Sequence, residues 1–272
     1  MIQEKFIGLG IAGNFTHHLE QAGESGDFIG IETHEEEAPK GIFPAYVPGS
    51  PELVGTFPFS ETKIRAKEES DLHMEPEVAL WCDVEYDKGD VARIVPTHFT
   101  AYNDCSIRVE GAEKISHKKN WGRDSKGISS QKIAIDRFEE GGIMDRYAIV
   151  SYLRRDGVLH QYGEASEMLG YSYFHTKLLD WIVQQINTQE DIGPLEHLQT
   201  HFAMADFPKK LLISIGATRY TPYGERTYLQ KGDELFVLLY PFERYTPAQI
   251  ERMIEEGRFE EEGLSWLHQQ VL

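Results

Sequence analysis

Residues 78–84, Val-Ala-Leu-Trp-Cys-Asp-Val, constrain the fold more than any other stretch of the chain. Alternate side chains of a strand point to opposite faces. Val78, Leu80, Cys82 and Val84 fall on one face, Ala79 and Trp81 on the other. Such a strand needs apolar cover on both sides, which a layered sheet supplies. Its head reads His73-Met74-Glu75-Pro76-Glu77. Glu75 and Glu77, two apart, share a face at roughly 6.5–7 Å along the strand. Charged pairs at this spacing also occur on solvated faces. Here the strand that follows reads as buried, and buried carboxylates need a partner or a metal. Pro76 cannot donate to a ladder, which predicts an edge or an opening at this end. A third acid, Asp104 in Asn103-Asp104-Cys105-Ser106-Ile107-Arg108, could complete an oxygen triad. Hard divalent ions such as Mg²⁺ or Mn²⁺ are held that way.

Strand signals dominate elsewhere. Short apolar runs at 6–11, 53–59, 91–95, 132–136, 148–154, 211–215 and 235–240 are bounded by turn residues. Two helices are expected. One is 173–187, capped by Ser172, with Phe174, Leu178, Ile182 and Ile186 on one side; the other begins at Thr246-Pro247 and runs toward Gly257. Many strands and few helices predict a β-rich α+β domain. The boundaries expected are an N-terminal subdomain over 1–70, a metal-binding β-rich catalytic body over 71–245 and a C-terminal helical tail over 246–272.

A net charge of −18 argues against nucleic acid or an anionic membrane as partner. Acid runs such as 35–37 and 260–262 read as solvated surface. Cys82 and Cys105 sit in apolar segments, so buried thiols are expected rather than a disulfide framework. The first residues lack the basic head and apolar stretch of a secretion signal, and the apolar runs are strand-sized, so a cytoplasmic location is expected.

Other side chains with chemical potential lie in Asn14-Phe15-Thr16-His17-His18-Leu19-Glu20. A histidine two residues from a glutamate could form a general base with an orienting acid. Zinc held by His17, His18 and Glu20 fits less well, because the three point in different directions on any regular element. Asn103-Asp104 is also a favoured turn pair, and Lys126 alone would pass as a solvated lysine.

In this order the motifs resemble the fumarylacetoacetate hydrolase superfamily. Asn14-Phe15-Thr16-His17-His18 is similar to its Asn-Tyr-x-x-His segment, Glu75-Pro76-Glu77 to its Glu-x-Glu strand, and residues 103–108 to its Asn-Asp-x-Ser-x-Arg segment. Trp121 with Lys126-Gly127, then Gly216-Ala217-Thr218-Arg219 and Leu229-Gln230-Lys231-Gly232-Asp233, complete a series spanning residues 6 to 240. The resemblance implies mixed β-sheets rolled into a sandwich, a homodimer, and a Mg²⁺ or Mn²⁺ ion held by Glu75, Glu77 and Asp104. It implies His18 as general base, with Glu20 beside it, and Lys126 as stabiliser of a developing enolate. Substrate contacts would come from Thr218, with Arg108 and Arg219 as further anion-binding positions. The implied reaction is hydrolysis or lyase chemistry at a C–C bond of a small oxo-acid, such as a diketo-acid or oxaloacetate. The alternative is a degenerate member that binds a small acid or serves in an assembly. The chain departs from the pattern at Val109-Glu110-Gly111, at Gln21 where the family has glutamate, and at Arg219. It also carries extra length near 191–205.

Overall fold

In the computed structural model, residues 5–272 are described, apart from His17, Ile29, Glu32, His34, Glu68, Glu69, Glu110, Gly111 and Glu260 and the side chain of Ser25. The expectations for His17, Glu110, Gly111 and Glu260 therefore lie outside the described residues. Among the described residues two sheets form the body. The first runs in the order β2 (Gly41–Tyr46), β1 (Phe6–Ala12), β12 (Lys210–Ser214), β5 (Pro76–Asp87), β6 (Asp90–Asn103) and β8 (Gly127–Ile128), with β9 (Ile133–Ala134) also on β6. The second runs β11 (Val158–Glu167), β10 (Tyr147–Arg155), β13 (Glu234–Pro241), β14 (Ser265–Val271) and β3 (Lys63–Ile64). A short ladder joins β4 (Leu72–His73) to β7 (Ser106–Ile107). Pairing is mixed: β1–β12 and β14–β3 are parallel, the other ladders antiparallel. The β-rich α+β class follows from this inventory.

The sheets pack face to face, with β13 and β14 against β6 and β10 against β5. As the alternation predicts, β5 is covered on both sides. Val78, Leu80, Cys82 and Val84 enter the main core, while Ala79 and Trp81 meet an aromatic cluster around Phe6. Yet β5 is an interior strand, not an edge. Pro76 fits because it opens the strand: the β12 ladder ends at Ala79, so no hydrogen bond is lost on that side.

Several elements differ from expectation for identifiable reasons. The stretch 53–59 forms a 3-10 turn, Val54–Thr56, because Gly55 and Pro58 interrupt the run. Strand β2 lay hidden in a Pro- and Gly-rich stretch; Pro44 is tolerated there because β2 is an edge. The helix expected at 173 begins at His175, as α3 (His175–Thr188). Asn14 holds the preceding backbone extended by accepting the Tyr173 N–H at 2.9 Å and the Ser172 N–H on its carbonyl at 2.9 Å.

The remaining helices are α1 (His18–Gln21), α2 (Ile115–Lys119), α4 (Leu198–Met204), α5 (Pro222–Glu225) and α6 (Pro247–Glu256). α6 has the expected start, a capping box between Thr246 and Gln249, and ends on the left-handed Gly257. The C-terminal tail is only half helical, since β14 completes the second sheet. Among the described residues no helix is long and apolar enough to cross a membrane.

Candidate active site

The site forms where β5 begins and β6 ends. Asp104 donates its N–H to the Glu75 carbonyl at 2.9 Å, and the Glu75 N–H donates to Asn103 Oδ1 at 3.3 Å. Asn103 is fixed in turn by donating to Gln269 Oε1 at 2.9 Å. This stitching brings one carboxylate oxygen each of Glu75, Glu77 and Asp104 within 4.8 Å of one another, all three buried. Gly216 closes the far side, donating its N–H to Glu77 Oε2 at 3.1 Å. Its φ of +107° suits glycine, and a Cβ there would come 3.2 Å from that of Asn14.

Basic side chains surround the triad. Lys126, fully buried, lies 2.5 Å from Asp104 Oδ1 and donates to the Lys119 carbonyl at 2.6 Å. Lys119, at the end of α2, bonds Glu75 and reaches Asp104 Oδ2 at 3.1 Å. Arg108 lies 2.8 Å from Glu75 Oε1, bonds Glu24, and donates to His73 Nδ1 at 3.3 Å and to the Tyr220 hydroxyl at 3.0 Å. Lys118 lies 2.8 Å from Glu24 and 2.6 Å from Asp27. Four buried carboxylates, Glu24, Glu75, Glu77 and Asp104, thus stand among Arg108, Lys118, Lys119 and Lys126.

These neighbours set the ionisation. Burial opposes the charge on Glu75, but Lys119 and Arg108 outweigh it and hold the carboxyl below the usual carboxylate range. Glu24 follows the same logic, with Arg108 bringing it down to about 2 against burial. Glu77 goes the other way: burial, reinforced by Asp104, pushes it well above the usual range. Burial brings His18 down to about 4 and, with Arg108, His73 down to about 3. Both imidazoles are therefore neutral at pH 7. Burial also lowers Lys126, against the pull of Asp104.

The expected residues divide into two sets. His18, Arg108, Lys126 and Thr218 gather with Glu75, Glu77 and Asp104. His18 Nδ1 and Thr218 Oγ1 are buried with no protein partner among the described residues. Glu20 and Arg219 do not join them. Glu20 is exposed on the rim, because residues two apart on the short α1 point to different sides. The acid that does reach the site from this segment is Glu24. Arg219 pairs with Glu164 at 3.1 Å and lies over the Phe15 ring; in extended backbone it faces away from its neighbour Thr218. Gln21 clamps the Tyr220 backbone, donating to its carbonyl at 3.1 Å and accepting its N–H at 2.9 Å. Lys118, Lys119 and His73 escaped the sequence reading. A usable signal existed for the lysines, which stand three and four residues after buried Ile115 and so share its helical side.

Two cavities meet here. A pocket of about 10 Å³ is lined by His18, Glu24, Glu75, Glu77, Lys119 and Ala217, among others. Beyond it lies an open cavity of about 900 Å³, bordered by Glu24, Asp27, His73, Arg108, Lys118 and Tyr228. That volume is of the size small ligands occupy. Three hard oxygen donors of the triad suit Mg²⁺ or Mn²⁺ in chemistry.

A family model for a family of unknown function, DUF5718, matches residues 24–271. No curated protein sequence matches the chain. Solved structures share its fold. A protein named as HpcE from Mycobacterium smegmatis superposes with a TM-score of 0.56 at 14% identity, covering 98% of this chain and 74% of the other. A protein named for the fumarylacetoacetate hydrolase family, from Yersinia pestis CO92, gives 0.54 at 12% identity, covering 100% and 95%. The apo form of 2-keto-3-deoxy-D-arabinonate dehydratase gives 0.52 at 11% identity, covering 98% and 73%. The chain belongs to the DUF5718 family of unknown function and has the fold of the fumarylacetoacetate hydrolase structures.

Proposed function

We propose that this chain is a hydrolase or lyase acting beside the carbonyl of a small oxo-acid. The observation that carries the reading is the convergence of Glu75, Glu77 and Asp104 within 4.8 Å, next to neutral, buried His18. The name of one similar structure adds support, since it describes a dehydratase of a 2-keto acid. Glu75, Glu77 and Asp104 would hold Mg²⁺ or Mn²⁺, which when bound supplies Lewis-acid polarisation of substrate oxygens.

The chain's own residues have separable tasks. His18, kept neutral by burial, accepts a proton at Nδ1, which no protein group occupies among the described residues. Thr218 Oγ1, buried and likewise free, donates to a substrate oxygen. Lys126 orients Asp104 through its 2.5 Å contact and contributes positive charge where an enolate would form. Arg108 borders the large cavity and ties it to Glu75, so a substrate carboxylate docking there is sensed at the triad.

The test is turnover of short diketo-acids, oxaloacetate and 2-keto-3-deoxy sugar acids with Mn²⁺, by wild type and Asp104→Asn. Turnover of one of them by wild type, lost in the variant, is expected. Equal turnover by both proteins would refute the role of the triad. Absence of turnover across the panel would favour the degenerate, acid-binding alternative.

A further inference from the structure

Lys119 stands where the three carboxylates converge. Its side chain is 4% exposed; its ammonium bonds Glu75, lies 3.1 Å from Asp104 Oδ2, and sits 5.6 Å from the centroid of the Phe43 ring. With Lys119 in this position the surrounding pocket measures about 10 Å³, space for about one water. Mg²⁺ takes six oxygens in an octahedron, so three carboxylates leave about three ligands to come from water or substrate. Lys119 lines this pocket beside Glu75 and Glu77, so its ammonium stands in the space those ligands would need. The ammonium and a divalent ion would also claim the same two carboxylates, Glu75 and Asp104, at repulsive distance. Lys126 differs: it is held between Asp104 and the Lys119 carbonyl and bonds only Asp104 among the three acids.

Resting on the proposed function above, we propose that Lys119 is a tethered cation that competes with the divalent ion for Glu75 and Asp104, so that the ion enters only as this ammonium withdraws. In the conformation described, the Lys119 ammonium stands against both Glu75 and Asp104. Metal affinity then depends on a residue that is not a ligand, and occupancy by lysine and by metal are mutually exclusive. The lysine keeps the buried carboxylates compensated whenever the ion is away, a task otherwise requiring protonation or unfolding.

Calorimetric titration of Mn²⁺ into wild type, Lys119→Met and Lys119→Gln tests this. Methionine retains the stem against Phe43; glutamine retains a polar end. Both variants are expected to bind one ion roughly tenfold or more tightly than wild type, and Mn²⁺ should raise their melting temperatures more than that of wild type. A variant that folds only with Mn²⁺ also supports the proposal, because the ion then replaces the missing charge. Equal affinity in all three proteins overturns the competition while leaving the triad as a cation site. No binding in any of them removes the metal reading and the competition together.

Discussion

The small inner pocket and the large outer cavity share Glu24, yet they are built on opposite principles. Inside, every carboxylate stands among bases and hydrogen-bond donors, and about 10 Å³ is free. Outside, about 900 Å³ is bordered on its inner side by the paired Asp27 and Lys118, and on its rim by Glu20, Asp71, Glu113 and Glu225, which are exposed and without such pairing among the described contacts. The contrast separates roles. The outer cavity can admit a ligand with little rearrangement, whereas the inner one must exchange an internal cation to do chemistry. It also predicts which substitutions unfold the protein and which only change its activity.

The largest effect is expected at Asp104. Replacing it by alanine leaves Lys126 fully buried with no carboxylate, and breaking a buried pair in this way costs about 3–5 kcal/mol. Urea unfolding should show that loss. A change below about 1 kcal/mol would mean that the inner pairs are not desolvated as described. Asp104→Asn keeps an oxygen that can accept from Lys126 and is the better variant for kinetics. Next comes His18→Ala, expected to lower turnover about 10²–10⁴-fold with the fold intact. A drop of only a few-fold would move the base elsewhere, with Glu24, which lines the same pocket, next to consider.

pH sharpens the same contrast. His18 and His73 are lowered from 6.5 to about 4 and about 3 by burial. The unfolded chain thus takes up protons on both before the folded one does. The stability this gives is fully present above pH 6.5 and is lost as pH falls toward 4 and 3. Melting temperature should decline across that window in wild type and decline less in His73→Gln; identical slopes would dismiss His73 as a contributor. The smallest effect is expected at the rim, where Glu20→Ala should stay within about 0.5 kcal/mol of wild-type stability and within about twofold in turnover. A large kinetic loss there would restore Glu20 as the partner of His18.

Local pattern made part of this legible. The two-sided apolar run at 78–84 placed β5 inside a layered sheet, and the i, i+2 spacing put Glu75 and Glu77 side by side. Asp104 joined them through motif order, because its position depends on the β5–β6 pairing between Pro76 and Asn103. Lys119 stayed hidden, since Lys118-Lys119 reads as a solvated pair until α2 is packed beside β2 and β7. Glu20 misled for the converse reason: sequence proximity to His18 is not proximity in space when the intervening turn rotates the side chain outward. Strands β2, β11 and β14 were missed because an edge proline and polar alternation weaken the apolar signal on which such readings depend.

The most direct single measurement is anomalous diffraction from wild-type crystals soaked in Mn²⁺. A peak is expected among Glu75, Glu77 and Asp104, with the Lys119 ammonium drawn away from Glu75 and Asp104. Density for Lys119 still bonded to both carboxylates at saturating Mn²⁺, with no peak between them, would contradict this exchange.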